Sequence, residues 1–183
     1  SGPVALPTRC APLLQQPSVG ARRVLEVGTL AGYSALWIAR SLPPEPDGVE
    51  PGLVTLEVDP DRADLARRLL DATEVADRIE VRVGEAAALL AEIGPDGSFC
   101  AVFLDADKEG LPRYVHHARR LLRVGGLLCV DNALWRGRVT DRSVQDAATT
   151  AIRQSHELVS EDPAFDATIL PVGDGLLVAR RTR

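Results

Sequence analysis

The chain has 183 residues, of which 45% are hydrophobic and 26% are charged, and its formal net charge is −5 at pH 7. These values are ordinary for one soluble globular domain that is large enough to bury a core. The acidic balance argues against a nucleic-acid partner, which normally needs a basic surface. No apolar run approaches the roughly 20 residues of a membrane helix, so we expect no membrane partner either.

Cysteine usage and the N-terminal sequence bear on the cellular compartment. The three cysteines, Cys10, Cys100 and Cys129, form no CxxC pair. Two of them fall in predicted buried strands, where cysteine acts as a small hydrophobic residue. Residues 1–8 show no basic segment followed by an apolar core, which is the pattern of a secretory signal. We therefore expect a reduced, cytoplasmic protein without a structural zinc site.

The first residues are predicted to differ from the rest of the chain. We interpret residues 1–20 as a truncated or irregular segment, because Pro12 and Pro17 limit any helix around Leu13 to about one or two turns. Residues 21–183 are interpreted as one domain, since they contain neither an internal repeat nor a low-complexity tract.

From residue 24 onward, apolar runs alternate with helical patterns. Five buried strands are predicted, at 24–27, 53–58, 78–83, 99–104 and 127–130. Helices are predicted at 31–42, from 59 onward, between 84 and 94, at 111–123 and at 143–159. Residues 43–52 are rich in proline and are predicted to form a surface loop.

The helix that follows the second strand has clear start signals. Asp59 suits the N-cap position and Pro60 the first helical position. Leu65, Leu69 and Leu70 predict the buried face of this helix.

Two more strands are predicted at the C-terminal end, at 167–172 and 176–180. They flank Gly173-Asp174-Gly175, which is a hairpin turn signal. Five strand–helix alternations followed by a hairpin predict an α/β fold. We expect a doubly wound, mostly parallel, Rossmann-like sheet of about seven strands with a C-terminal antiparallel hairpin.

The turn after the first strand is a candidate ligand site. Gly28 and Gly32 bracket a strand–turn–helix junction, where nucleotide-like ligands bind in such sheets. The dinucleotide fingerprint needs a third glycine that this segment lacks, so a plain tight turn is the alternative. Glu57 ends the second strand, where an acid accepts hydrogen bonds from ribose hydroxyls. A solvent-exposed acid near a helix start is the alternative for Glu57.

A second candidate site follows the fourth and fifth strands. Asp105, Asp131 and Asn132 should converge at one rim of the sheet, and their hard oxygens suit Mg²⁺, Ca²⁺ or Mn²⁺ rather than zinc. The alternative is that they merely cap the following loops. Lys108 would act as a general base towards a hydroxyl if a divalent cation lay beside it. Otherwise it is a surface lysine paired with Asp107 or Glu109.

Five motifs, in this order, resemble those of one enzyme family. They lie at 24–34, 56–59, 104–108, 130–137 and 170–176. The chain resembles the cation-dependent class I S-adenosylmethionine O-methyltransferases, the group of catechol and caffeoyl-coenzyme A O-methyltransferases and their bacterial relatives. The resemblance covers about residues 21–181. It implies methyl transfer from S-adenosylmethionine to a hydroxyl of a small catechol-like phenol, with a divalent cation, Mg²⁺ first, as a second cofactor.

The resemblance also implies roles for individual residues. The residues implied for S-adenosylmethionine binding are Glu26, Gly28, Thr29, Gly32, Ser34, Glu57, Gly84, Ala86 and Asp105. The implied metal ligands are Asp105, Asp131 and Asn132, and Asp105 and Lys108 are the implied catalytic residues. Lys108 matches the residue that deprotonates the acceptor hydroxyl, and Trp135 and Asp174 lie in motifs that border the acceptor pocket.

Some expectations differ from the family pattern or compete with it. Family members usually carry several dozen residues before the first strand, and many are dimers, so a homodimer is one expectation here. A nicotinamide-dependent oxidoreductase is an alternative function, although the third glycine and a Tyr-Lys or catalytic-His arrangement are missing. A non-catalytic S-adenosylmethionine-binding or interaction protein with an incomplete lid is another alternative.

Overall fold

The computed structural model of the chain describes residues 22–43 and 52–183. The N-terminal segment predicted at 1–20 and most of the predicted loop 43–52 lie outside the described residues. The strands are β1 (Val24–Val27), β2 (Leu53–Glu57), β3 (Ile79–Val83), β4 (Phe99–Leu104), β5 (Leu122–Asp131), β6 (Phe165–Leu170) and β7 (Leu176–Arg181). The α-helices are α1 (Tyr33–Ser41), α2 (Pro60–Asp71), α3 (Ala86–Glu92), α4 (Leu111–Leu121) and α5 (Ala147–Glu161).

The described strands form one seven-stranded sheet in the order β3-β2-β1-β4-β5-β7-β6. The pairs from β3 through β5 are parallel, whereas β7 runs antiparallel to both β5 and β6. This confirms the predicted doubly wound sheet with a C-terminal antiparallel hairpin. The chain reverses direction of winding between β1 and β4, which is where such sheets bind ligands.

Helices cover both faces of the sheet. One core cluster contains residues of α1 and α2, and the other contains residues of α3, α4 and α5. The central strands β1, β2 and β4 are buried along their whole length, as expected for parallel strands covered on both sides. Cys100 and Cys129 are buried in β4 and β5, as predicted. Across the described ranges, no helix is both long and apolar enough to cross a membrane.

Helix α2 begins as the sequence predicted but buries a different face. The Asp59 carboxylate accepts hydrogen bonds from the backbone N–H groups of Asp61 and Arg62, at 2.9 and 3.2 Å. The buried residues are Ala63, Ala66 and Leu70, whereas Leu65 and Leu69 are 40% and 51% exposed. The prediction that Leu65 and Leu69 are buried was wrong. Ala63, Ala66 and Leu70 are spaced three and four residues apart and share the buried face, so Leu65 and Leu69 lie on a different side of the helix.

Strand β5 is longer than predicted, because its two glycines lie inside the strand instead of before it. It begins at Leu122, directly after α4 ends at Leu121, and it runs to Asp131. A Cβ on Gly126 would lie 3.0 Å from the Cys100 carbonyl oxygen, so glycine lets β5 pass close to β4. The register shifts between Phe99 and Ala101 at this point.

Candidate functional site

The turn after β1 needs both of its glycines. Gly28 has a φ of 103°, and a Cβ there would lie 2.2 Å from the Asp105 carbonyl oxygen. Gly32 has a φ of 82° and precedes α1, and a Cβ there would touch the Leu70 side chain at 3.0 Å. Positive φ and close approach together explain why glycine occupies these positions. The turn after β1 therefore lies directly against the end of β4.

Glu57 connects this turn to the end of β2. Its side chain is buried and accepts hydrogen bonds from the backbone N–H of Leu30 at 2.8 Å and of Asp59 at 3.1 Å. A carboxylate has about four lone-pair sites, so these two bonds leave acceptor capacity for a ligand. Because Glu57 lines a cavity, it is not the solvent-exposed acid of the alternative interpretation.

A cavity of about 590 Å³ lies along the rim of the sheet. Its lining includes five of the residues predicted for cofactor binding, namely Gly28, Glu57, Gly84, Ala86 and Asp105. It also includes Arg62, Arg113 and Tyr114, which the sequence analysis did not identify. These three lie on helices α2 and α4, and only the packing of those helices brings them to the rim.

The other four predicted cofactor residues lie outside this lining. Glu26 and Thr29 are buried in β1 and in the turn, and Gly32 and Ser34 lie at the start of α1. Thr55 on β2 links the first two, because its hydroxyl donates to Glu26 at 2.6 Å and lies 2.6 Å from the Thr29 hydroxyl. These four residues form or adjoin the turn without lining the cavity.

Glu26 is a buried acid with an incomplete set of partners. Its Oε1 makes no hydrogen bond to the described part of the chain within normal geometry. Burial raises the pKa of Glu26 from 4.5 to about 7, and the nearby Ser34 and Thr55 hydroxyls oppose this shift. A hydrogen-bond donor on a ligand, or a bound water, would stabilise the unpaired Oε1 of Glu26.

Asp105 and Asp131 lie at the ends of the adjacent parallel strands β4 and β5. Burial, with a further contribution from the negative charge of Asp105, raises the pKa of Asp131 to about 6, whereas the Asn132 backbone N–H and Lys108 act in the opposite direction. Two acids at the ends of neighbouring strands are an arrangement that a cation would stabilise. Asn132 follows at a φ of 59°, and its backbone N–H donates to Asp131 at 2.5 Å.

The donor set determines which cation would fit. In residues 22–43 and 52–183, no three His, Cys, Asp or Glu side chains are grouped to hold a metal ion. Asn132, the third ligand that the resemblance implies, would contribute an amide oxygen, a type of ligand outside that group. Two carboxylates and one amide suit Mg²⁺, Ca²⁺ or Mn²⁺, with water completing the coordination. The backbone N–H contact to Asp131 is the capping role of the alternative interpretation, and it leaves the other carboxylate oxygen available.

Lys108 points to the same rim. Its Nζ lies 3.3 Å from Asp105 Oδ1 and 6.0 Å from the centre of the Trp135 ring, and the side chain is 10% exposed. It does not form the surface pair with Asp107 that was the alternative. Asp107 instead accepts hydrogen bonds from the backbone N–H of Gly110 at 2.7 Å and from the Tyr114 hydroxyl at 2.5 Å. Burial and the Asp107 charge raise the pKa of Tyr114 well above its usual value.

A second cavity, of about 470 Å³, adjoins this loop. It is lined by Ala106, Asp107, Lys108, Glu109, Trp135 and Ala148. Ala106 and Asp107 also line the first cavity, so the two cavities share one wall. Asp174 was predicted to border the acceptor pocket. Its Oδ1 accepts a hydrogen bond from the backbone N–H of Arg136 at 2.5 Å, so it supports the residue that follows Trp135.

Comparisons with known proteins agree with this arrangement. The family model described as O-methyltransferase matches residues 13–182. A catechol O-methyltransferase of Mycobacterium tuberculosis is 41% identical over 153 residues, which are 84% of this chain and 66% of that protein. A catechol O-methyltransferase of Niastella koreensis is 36% identical over 152 residues, 82% of this chain and 66% of that protein. The chain thus spans 66% of the length of these two relatives.

Solved structures give the same result. An O-methyltransferase from Bacillus cereus in complex with SAH superposes with a TM-score of 0.87 at 35% identity, covering 98% of this chain and 82% of that one. An O-methyltransferase from Streptomyces achromogenes in complex with SAM gives the same TM-score of 0.87, identity of 35% and coverage of 98% and 82%. The family match, the sequence identity and the shared fold show that the chain belongs to the O-methyltransferase family.

Proposed function

We propose that the chain is an S-adenosylmethionine-dependent O-methyltransferase that uses a divalent cation and methylates a hydroxyl of a small catechol-like phenol. The observation that carries this proposal is the wall shared by the two cavities, which is formed by the residues after β4. The first cavity is lined by Glu57, which would bind the ribose, and the second is lined by Lys108 and Trp135. The names of the relatives support the choice of cofactor and acceptor.

The first cavity would hold the methyl donor. Glu57 would accept hydrogen bonds from the ribose hydroxyls, while Gly28 lets the ligand approach the backbone. Gly84 and Ala86 would lie beside the adenine. Glu26, Thr29, Gly32 and Ser34 would hold the turn near the methionine end of S-adenosylmethionine. The family assignment favours this cofactor over the nicotinamide alternative.

Asp105, Asp131 and Asn132 would hold the cation, with Mg²⁺ as the first choice and Ca²⁺ or Mn²⁺ as alternatives. When bound, such a cation acts as a Lewis acid that stabilises a phenolate and orients two vicinal oxygens. Its positive charge would also offset the unfavourable effect of the Asp105 charge on an ionised Asp131.

The residues of the chain would provide positioning and proton transfer. As a neutral amine, Lys108 Nζ would accept the proton of the acceptor hydroxyl, and its contact with Asp105 keeps this side chain at the rim. The hydroxyl oxygen then forms a bond to the methyl carbon as the carbon–sulfur bond breaks, which leaves a neutral thioether. The hydrogen bonds of Asp107 to Gly110 and Tyr114 fix the loop that carries Lys108. Most of the acceleration would come from holding donor and acceptor in line.

The test is methyl transfer from labelled S-adenosylmethionine to a panel of catechols, with and without chelator. We expect chelator to abolish the activity and Mg²⁺ to restore it. Asp131→Ala should lower kcat/KM by about 100-fold or more, since a lost ligand removes several kcal/mol of charge stabilisation. The matched control is Asp166→Ala, which changes an exposed acid on β6. Equal activity in excess chelator would contradict the cation dependence.

A further inference from the structure

The segment between β5 and α5 has an unusual backbone. We call residues 132–146 the β5–α5 loop. Asn132, Trp135 and Arg136 have φ values of 59°, 47° and 55°, and Gly137 has a φ of 80°. Side chains other than glycine rarely adopt the left-handed region, and such conformations persist only where the surroundings hold them in place. The loop therefore needs external supports.

One support comes from Asp174, which lies in the β6–β7 connection. Its Oδ1 accepts the Arg136 backbone N–H at 2.5 Å, and its carbonyl oxygen accepts the Leu134 N–H at 2.8 Å. Gly175 lies so close that a Cβ there would come within 2.5 Å of the Leu134 side chain. These contacts fix the first half of the β5–α5 loop, on both sides of Trp135.

The second support is Arg153 of α5. Its guanidinium donates hydrogen bonds to four backbone carbonyl oxygens of the loop. The acceptors are Arg138 at 2.9 Å, Val139 at 3.0 Å, Asp141 at 2.6 Å and Val144 at 2.7 Å. The planar guanidinium offers five N–H donors in a fixed arrangement, which a lysine ammonium cannot reproduce. Arg153 thus fixes the second half of the loop to the body of the protein.

Trp135 connects these supports to the site. Its ring lines the second cavity and faces Lys108 Nζ at 6.0 Å, and its Nε1 is buried without a hydrogen-bond partner among the described residues. The ring is therefore held by the backbone of its loop and by packing. A change in the loop would move this wall of the cavity and leave the first cavity intact.

We propose that Arg153 is a positioning residue that determines acceptor binding, because it holds the β5–α5 loop in the conformation that places Trp135 beside Lys108. Arg153 lines neither cavity and acts through the carbonyl groups of the loop. The catalytic part of this inference rests on the proposed function, whereas the structural part does not.

The structural part is tested by fluorescence. The chain has two tryptophans, so Trp37→Phe leaves Trp135 as the one tryptophan, which is excited selectively at wavelengths that tyrosine does not absorb. In this background, Arg153→Ala should shift the emission to longer wavelength and increase acrylamide quenching about threefold, as expected for a ring released to water. The matched control is Arg142→Ala, which changes an exposed arginine of the same loop. Unchanged quenching in Arg153→Ala would overturn the proposal, whatever the enzyme assays show.

The catalytic part is tested by separating the two substrates. Arg153→Ala should raise KM for a catechol acceptor about tenfold, because a small displacement of a positioning group has large effects. Calorimetric affinity for S-adenosylmethionine should stay within about twofold, as for a distant site. A parallel loss of both affinities would indicate general structural damage and overturn the proposal.

A second variant covers the case in which Arg153→Ala folds poorly. Arg153→Gln keeps an amide group that donates hydrogen bonds. At a temperature where this variant is folded, its quenching and its acceptor KM should lie between those of the parent protein and of Arg153→Ala. Values equal to those of the parent protein in both measurements would also overturn the proposal. If the parent protein transfers no methyl group, the proposed function fails, and the fluorescence result still decides the role of Arg153.

Discussion

Glu57 serves the fold and, in the proposed function, also the ligand. It holds the turn after β1 through Leu30 and retains lone pairs towards the first cavity. Glu57→Gln should weaken S-adenosylmethionine binding by about 10- to 100-fold, since hydrogen bonds to a charged group contribute about 1.5–3 kcal/mol. Isothermal titration calorimetry measures this. Glu92→Gln, which changes an exposed acid at the end of α3, is the control. An unchanged affinity in Glu57→Gln would remove the ribose role.

Glu26 makes the stability of the unliganded protein depend on pH. Burial raises its pKa from 4.5 to about 7, so the folded state binds a proton more tightly than the unfolded state. The stabilising contribution of Glu26 is therefore fully present below about pH 4.5 and is lost as the pH rises through about 7. The loss from this one group is up to about 3 kcal/mol.

Glu26→Gln should remove this part of the pH dependence, because the amide stays neutral. Urea unfolding between pH 5 and pH 8, in chelator and without cofactor, measures the difference from the parent protein. The variant should become relatively more stable as the pH rises. Parallel pH profiles for the two proteins would show that Glu26 titrates normally.

The placement of glycines and acids at the strand ends was largely predictable from the sequence. The spacing of Gly28, Glu57, Asp105 and Asp131 follows from the strand–helix alternation, and the structure places all four at one rim. Tyr114 and Arg153 were not predicted, because each acts through a contact between elements. The Tyr114 hydroxyl donates a hydrogen bond to Asp107. Arg153 donates to backbone carbonyl groups, which every residue has, so the sequence shows no pattern for this contact.

At the scale of single elements, the start of α2 provides a simple test. The Asp59 carboxylate accepts hydrogen bonds from two backbone N–H groups that have no carbonyl partner inside the helix. Asp59→Ala should lower the free energy of unfolding by about 1 kcal/mol, which urea denaturation detects as a lower midpoint with an unchanged slope. Asp71→Ala, at the C-terminal end of the same helix, should cause no loss because an acid there opposes the helix dipole. Equal losses in both variants would argue against a capping role.

Helix and strand boundaries show where pattern reasoning stops. Strands β1 and β4 have the bounds that hydrophobicity predicted. The predicted buried face of α2 was wrong, because the leucines alone do not reveal which side of the helix packs against the sheet. The predicted start of β5 was also wrong, because glycine inside a strand and glycine in a turn look the same in a sequence. In both cases the packing of the element against its neighbours determines the result.

At the scale of the whole molecule, the sheet order and the two cavities depend on one another. The reversal of winding between β1 and β4 creates the rim, and the antiparallel β7 brings Asp174 to the loop after β5. The alternation of strands and helices predicted the doubly wound sheet and its antiparallel hairpin, but not this strand order. The proposed homodimer and the cytoplasmic location stay predictions.

Under the proposed function, the contact between Gly28 and the Asp105 carbonyl bears on the distance between the two reactants. A Cβ at Gly28 would lie 2.2 Å from that oxygen, so two stretches of main chain touch without an intervening side chain. The turn at the proposed donor site and the residues that begin the proposed acceptor site would then be held at a distance that side chains do not set. Substitutions around the second cavity would leave this distance unchanged, whereas a substitution at Gly28 would alter it for every acceptor.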